Sequence, residues 1–253
     1  MLQLFRLSSL AFLAALVSAA PAVVLVDRGL PNQHLNDPVF SNRSNVAVGA
    51  SGGWFTGDDF KLPTAAPAYS INGIRTWLVT NDNYNASPQK DFSELISSLT
   101  LWLGPAGASN DVTATSYPFT ATRVTYDGST TYDGLGSMYS LWQIDWDTAG
   151  LVLAGGSKYN FGVSGLRTDG STRIFNHASN AGLGGVPSDG ADNLIILFQT
   201  DGAFGRFDDV GDGTFSSMDI NVVVTGVPVP EPATIALGLG GLAAAALRRR
   251  ARR

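Results

Sequence analysis

From about residue 60 to residue 226 the apolar residues come in short runs bounded by Gly, Asn, Asp, Pro and Ser, and several of the runs alternate with polar residues. No stretch keeps the 3.6-residue period of a capped amphipathic helix, so the pattern predicts strands. The clearest are 71–79, 99–103, 120–126, 141–146, 159–163, 194–199 and 220–225, and only 92–98 reads as a short helix. In the fourth of these, Trp142, Ile144 and Trp146 alternate with Gln143, Asp145 and Asp147, which gives one apolar face and one wet face. Asp-Gly pairs at 127, 133, 169, 189, 201 and 212 fall between the runs, where both residues tolerate the positive φ of tight hairpins. Their spacing is irregular, which argues against a propeller or solenoid. The expected fold is all-β, an antiparallel two-sheet sandwich of jelly-roll-like character.

The two ends break this pattern. Residues 1–19 pair Arg6 with an apolar stretch, 10–17, and then small residues, the layout of a secretory signal peptide. Val17 and Ala19 fill the small positions for cleavage after Ala19, and Ala20-Pro21-Ala22 leaves a second cut open. At the other end, 233–247 is an almost unbroken run of Ala, Gly, Leu, Ile and Thr, followed by Arg248, Arg249, Arg250, Arg252 and Arg253. Clustered arginines stay on the cytoplasmic side of a bilayer, so the body is expected outside it. A run this short, about 22 Å as helix, crosses only with thinning of the bilayer or snorkelling of the arginines. The predicted organisation is a signal helix at 1–19, a β-sandwich at 20–226 and a tail at 227–253 with a hydrophobic helix, in which Pro228 and Pro230 end the last ladder.

Composition changes the electrostatic picture once the ends are set aside. The whole chain carries a net charge of −5, but five of its sixteen basic residues lie in the tail and Arg6 lies in the signal. The body then holds ten basic against twenty acidic residues, a net −10, which argues against a nucleic-acid or anionic-lipid partner. The absence of cysteine excludes disulfides, thiolate nucleophiles and Cys-ligated metals. Packing alone must hold a body of about 207 residues, and its five tryptophans argue against a disordered stalk.

Val229-Pro230-Glu231-Pro232-Ala233, the apolar run and the arginine cluster occur in an order that resembles the PEP-CTERM protein-sorting signal of exopolysaccharide-producing Gram-negative bacteria. The resemblance covers about the last 27 residues and is joined by the N-terminal signal that such proteins require. It implies export through signal peptidase and the export machinery, then recognition of Pro230, Glu231 and Pro232 by an exosortase. Removal of the tail and transfer to the cell surface or extracellular matrix would follow, with exopolysaccharide as a possible partner. Physically, Pro-Glu-Pro is extended and presents one carboxylate at the bilayer edge. In the body, Gly57-Asp58-Asp59-Phe60-Lys61-Leu62 looks like the opening strand of β-sandwich modules carried by such tails. Leu153-Ala154-Gly155-Gly156-Ser157-Lys158-Tyr159 looks like their later turn.

Candidate chemistry in the body is sparse. Residues 208–219, read as a calcium loop, place Asp208 at position 1, Asp212 at 5, Gly213 at 6, Ser216 at 9 and Asp219 at 12. Val210 stands where a third-position oxygen is expected and flanking helices are lacking, so an acidic hairpin is the favoured reading and no cofactor is expected. Gly49-Ala50-Ser51-Gly52-Gly53 fits G-x-S-x-G, but Trp54-Phe55-Thr56-Gly57 follows where a helix should, which argues against a hydrolase. His34 and His177 are the only histidines, and His177 reads as a polar loop residue. Asp145 and Asp147 share a strand face as glycosidase carboxylates would, yet the alternation already explains them. Trp77, Trp102, Trp142 and Trp146 read as core. Trp54, in a Gly-rich stretch, is the candidate for stacking on a sugar ring. The sequence favours a structural or interaction protein and no enzyme, with a carbohydrate-binding module, calcium-dependent or not, as the alternative.

Overall fold

The computed structural model describes residues 21–29, 43–46, 54–80, 82, 88–106, 113–124, 140–168, 174–179, 196–199 and 219–230. They form an all-β body of two antiparallel sheets. In chain order the strands are β1 (Val23–Arg28), β2 (Arg43–Val46), β3 (Trp54–Lys61), β4 (Ala68–Thr80), β5 (Ile96–Pro105), β6 (Thr113–Thr115) and β7 (Phe119–Val124). They continue with β8 (Ser140–Ala154), β9 (Lys158–Arg167), β10 (Ile174–Ser179), β11 (Ile196–Gln199), β12 (Asp219–Ile220) and β13 (Val222–Pro228). A single helical turn, α1 (Phe92–Leu95), precedes β5, and the Glu94 carboxylate accepts from the Asp91 backbone N–H at 2.7 Å to start it. The expected helix at 92–98 is therefore shorter, because Ile96 already enters the sheet.

β4 organises the first sheet. Along one edge it pairs with β8, and β8 with β7. Its other edge is shared, with β13 along 69–76 and β10 along 78–80. β1 lies outside β13, and β2 and β12 pair with β10. The second sheet runs β11-β3-β9-β5-β6.

The alternation read at 141–147 is realised. Trp142, Ile144 and Trp146 project into the core with Ile71, Ile74 and Leu78 of β4, opposite Phe60, Leu101, Phe161 and Val163 of the second sheet. Buried indoles need a partner for their N–H. Trp142 Nε1 donates to Thr80 Oγ1 at 2.8 Å and Trp146 Nε1 to Thr76 Oγ1 at 3.0 Å. Between Ile71 and Gly73 the ladder carries a bulge, with residues 148–150 of β8 opposite Asn72 and Gly150 at φ 91°. The bulge resets the parity, so that Tyr69 and Ile71 point inward before it and Ile74 and Leu78 after it. Trp77, Val79 and Leu141 form a separate small cluster with Val124 and Val223.

The turn from β8 to β9 shows why Gly155 and Gly156 stand there. A Cβ on Gly155 would lie 1.8 Å from the Ala66 carbonyl oxygen, and Gly156 sits at φ 72°. All six Asp-Gly pairs fall outside the described residues, as do the signal segment 1–19 and the apolar run 233–247. Among the described residues no helix is long and apolar enough to cross a membrane.

Candidate sorting site and the end of the body that carries it

The C-terminal motif emerges from the middle of a sheet. β13 is flanked by β1 and β4, and its pairing with β4 continues through Val227↔Ser70 and Pro228↔Tyr69. The Val229 N–H then donates to the Ala68 carbonyl at 2.9 Å, and Pro230 follows, exposed. β13 thus ends at Pro228, within the proline segment expected to end the ladder, with one further bond from the Val229 N–H. Since the Val229 N–H points to β4, the missing donor of Pro228 points to the other side, where β1 has already ended at Val23, paired with Gly226. A proline costs no hydrogen bond there.

What fixes β13 in place is a buried polar network that crosses the molecule. Arg28 on β1 and Asp58 on β3 form an ion pair of 3.0 Å with both side chains 0% exposed. Asp58 Oδ2 also accepts from the Ile220 N–H at 2.5 Å, and Oδ1 from the Asp59 N–H at 2.7 Å. Asn221, at the corner between β12 and β13, donates through Nδ2 to the carbonyls of Arg28 at 2.8 Å and Gly29 at 2.6 Å. Its Oδ1 faces His177 Nδ1, and because Oδ1 can only accept, that ring nitrogen carries the proton. The Asn221 N–H donates to the His177 carbonyl at 3.0 Å. His177 is therefore a fully buried strand residue of β10, which corrects its reading as a loop residue. Asp59 adds a contact to Lys158 at 2.7 Å.

The other predicted site residues divide sharply. Asp208, Asp212, Ser51, His34, Ala19, Glu231, Pro232, Arg248, Arg249 and Arg250 lie outside the described residues. So do the side chains of Asp219, whose backbone pairs with Ser179, and of Trp54, whose backbone pairs with Gln199. Among the described residues no group of three His, Asp or Glu is arranged to hold a metal. The Asp145 carboxylate is engaged by Arg75 Nε at 2.6 Å and by Gln143 Nε2 at 2.7 Å, while Asp147 accepts from the Ala149 N–H at 3.1 Å. That is a wet sheet face. Trp77, Trp142 and Trp146 are buried as expected, but Trp102 is half-buried, with its indole N–H donating to Ser164 Oγ at 2.8 Å. Alternation with the buried Leu101 was the sequence signal for its position.

Among curated proteins no relative matches the chain. Residues 228–253 match the family described as the PEP-CTERM protein-sorting motif. The match opens on Pro228, the last residue of β13. That motif is the signal of exported proteins held transiently by a C-terminal anchor and processed by an exosortase, and this chain carries it.

Proposed function

We propose that this is an exported structural or interaction protein, without catalytic activity, delivered to the cell surface or the extracellular matrix and associated there with exopolysaccharide. In this reading the signal at 1–19 is removed after Ala19, and the body of 20–226 folds outside as a jelly-roll-like sandwich. The segment 227–253 is the sorting signal, its apolar helix holding the chain in the bilayer. Pro230, Glu231 and Pro232 are the exosortase's handle, and Arg248, Arg249 and Arg250 keep the far end of the tail inside. The observation that carries the reading is the junction: a folded strand ends on the first residue of a sorting motif, so one covalent path links a stable cargo to a removable anchor. Intact mass of the mature protein from envelope and matrix fractions tests it, with Glu231→Ala alongside. Loss of both 1–19 and the tail, with tail removal abolished in the variant, supports sorting. A mass that retains the five arginines overturns it.

Carbohydrate binding is a second reading. It is favoured by Trp102, half-buried on the sheet face opposite Leu101 and beside Ser164, which adds to Trp54 a second indole that a sugar ring could meet. Unchanged tryptophan fluorescence across a panel of polysaccharides removes that reading.

A further inference from the structure

Four large apolar side chains are exposed among the described residues: Val23 (47%), Val24 (57%), Val152 (56%) and Leu166 (50%). Three of them gather at one end of the fold. Val152 and Val227 are both Cα partners of Ser70, so β8, β4 and β13 place them in one row on one face. Val24 is paired with Thr225, two residues before Val227, and Val23 with Gly226. This is also the end at which β1 begins and the Val229 N–H makes the last bond to β4. Leu166 lies toward the far end of β9, eight residues from Lys158 and so about 26 Å along the strand.

We infer that this end of the body is a membrane-contacting surface, with Val23, Val24 and Val152 set against the lipid headgroups for as long as the tail is in place. The inference rests on the proposed anchoring of the tail and adds which surface meets the bilayer. The argument is one of reach. Only Pro230, Glu231 and Pro232 separate Val229, still bonded to Ala68, from Ala233, the first residue of the apolar run. Four residue steps extend at most about 14 Å. The headgroup zone takes up about 5–8 Å of that on each side of the hydrocarbon. The last rung of the sheet is then within several ångströms of the headgroups, too close for the body to stand off. The same geometry brings both processing sites to one surface, because β1 begins three residues beyond Ala20 and runs beside β13.

The chain has no cysteine, so single-cysteine variants Val24→Cys, Val152→Cys and Leu166→Cys each give one labelling site. The full chain with its tail, carrying a polarity-sensitive fluorophore, is placed in vesicles of zwitterionic phosphatidylethanolamine and phosphatidylcholine that contain a headgroup-attached quencher. Several-fold stronger quenching at 24 and 152 than at 166 is expected. A ten-residue Gly-Ser spacer after Val229, with a mean reach of about 17 Å, should erase the difference. Equal quenching at the three sites in protein that floats with the vesicles overturns the docking surface and leaves the anchor standing. Protein that does not float with the vesicles overturns both.

Discussion

Removing the Asp58 carboxylate tests what holds this cysteine-free body together. Asp58→Ala leaves the Arg28 guanidinium buried without its 3.0 Å partner, and leaves the N–H groups of Ile220 and Asp59 without the acceptor they now use. Breaking a buried ion pair from one side costs about 3–5 kcal/mol, because the remaining charge stays desolvated. Each deserted backbone donor costs about 1–3 kcal/mol where no new acceptor replaces it, and these terms overlap. The contact of Arg28 with Asp59, at 3.8 Å, offsets part of the loss, so about 3–5 kcal/mol is the expected total. In a domain of this size that lowers Tm by roughly 6–20 °C. Arg28→Met should cost less, since Asp58 keeps two backbone donors, and Asp58→Asn should fall between wild type and Asp58→Ala because its amide oxygen still accepts. Urea unfolding followed by tryptophan fluorescence reads the series. An Asp58→Ala cost below about 1 kcal/mol, or Arg28→Met the more damaging of the two, would refute the reasoning.

Three further expectations use the same assay. Trp146→Phe removes the bond to Thr76 and part of a buried ring, for about 1–2 kcal/mol, whereas Trp146→Ala opens a cavity at about 3–5 kcal/mol. Gly155→Ala drives a methyl group to 1.8 Å from a backbone oxygen and should cost about 1–3 kcal/mol or more, read as a lowered urea midpoint. Asp145→Asn, at an ion pair whose side chains are 37% and 43% exposed, should change stability by less than about 1 kcal/mol.

Strands carrying alternating or dense apolar residues were legible in the sequence, and all seven expected runs contain a strand. The misses have separate causes. β10 reads Ile-Phe-Asn-His-Ala-Ser, too polar for a core strand, although Asn176 and His177 are both buried, His177 with its ring nitrogen against Asn221 Oδ1. β1 was not among the expected strands, because it is short and closes on charged residues, yet it pairs along β13 with a bulge between Val24 and Val26 and buries Arg28. Asp58 was visible only as part of a short resemblance. Its partners are 30 and 162 residues away, and no local pattern encodes a contact of that separation. The sorting motif was fully legible because it is local. Its fusion to β13 was not, since only the ladder shows that Pro228 occupies a position needing no donor.

That fusion sets an order of events. β13 lies between β1 and β4, and its corner residue Asn221 reaches back 193 residues to the Arg28 carbonyl, so the first sheet cannot close until the chain has been exported as far as Val229. Contacts of such separation form late, after most of the loop-closure entropy has been met. In the proposed reading the Pro-Glu-Pro handle begins at the next residue, so the cargo presented to an exosortase would be one whose last strand has just become available. Stop codons separate the two roles of this segment. Ending the chain after Pro230 removes no described ladder bond and should leave the urea midpoint within about 0.5 kcal/mol of the full chain's. Ending it after Asn221 deletes β13 together with the buried Val222 and Val224, strips β1 of its one strand partner among the described residues, and should abolish the cooperative transition. If the chain ending at Asn221 still unfolds cooperatively near the full-length midpoint, β13 is an accessory strand, and the coupling of folding to sorting fails with it.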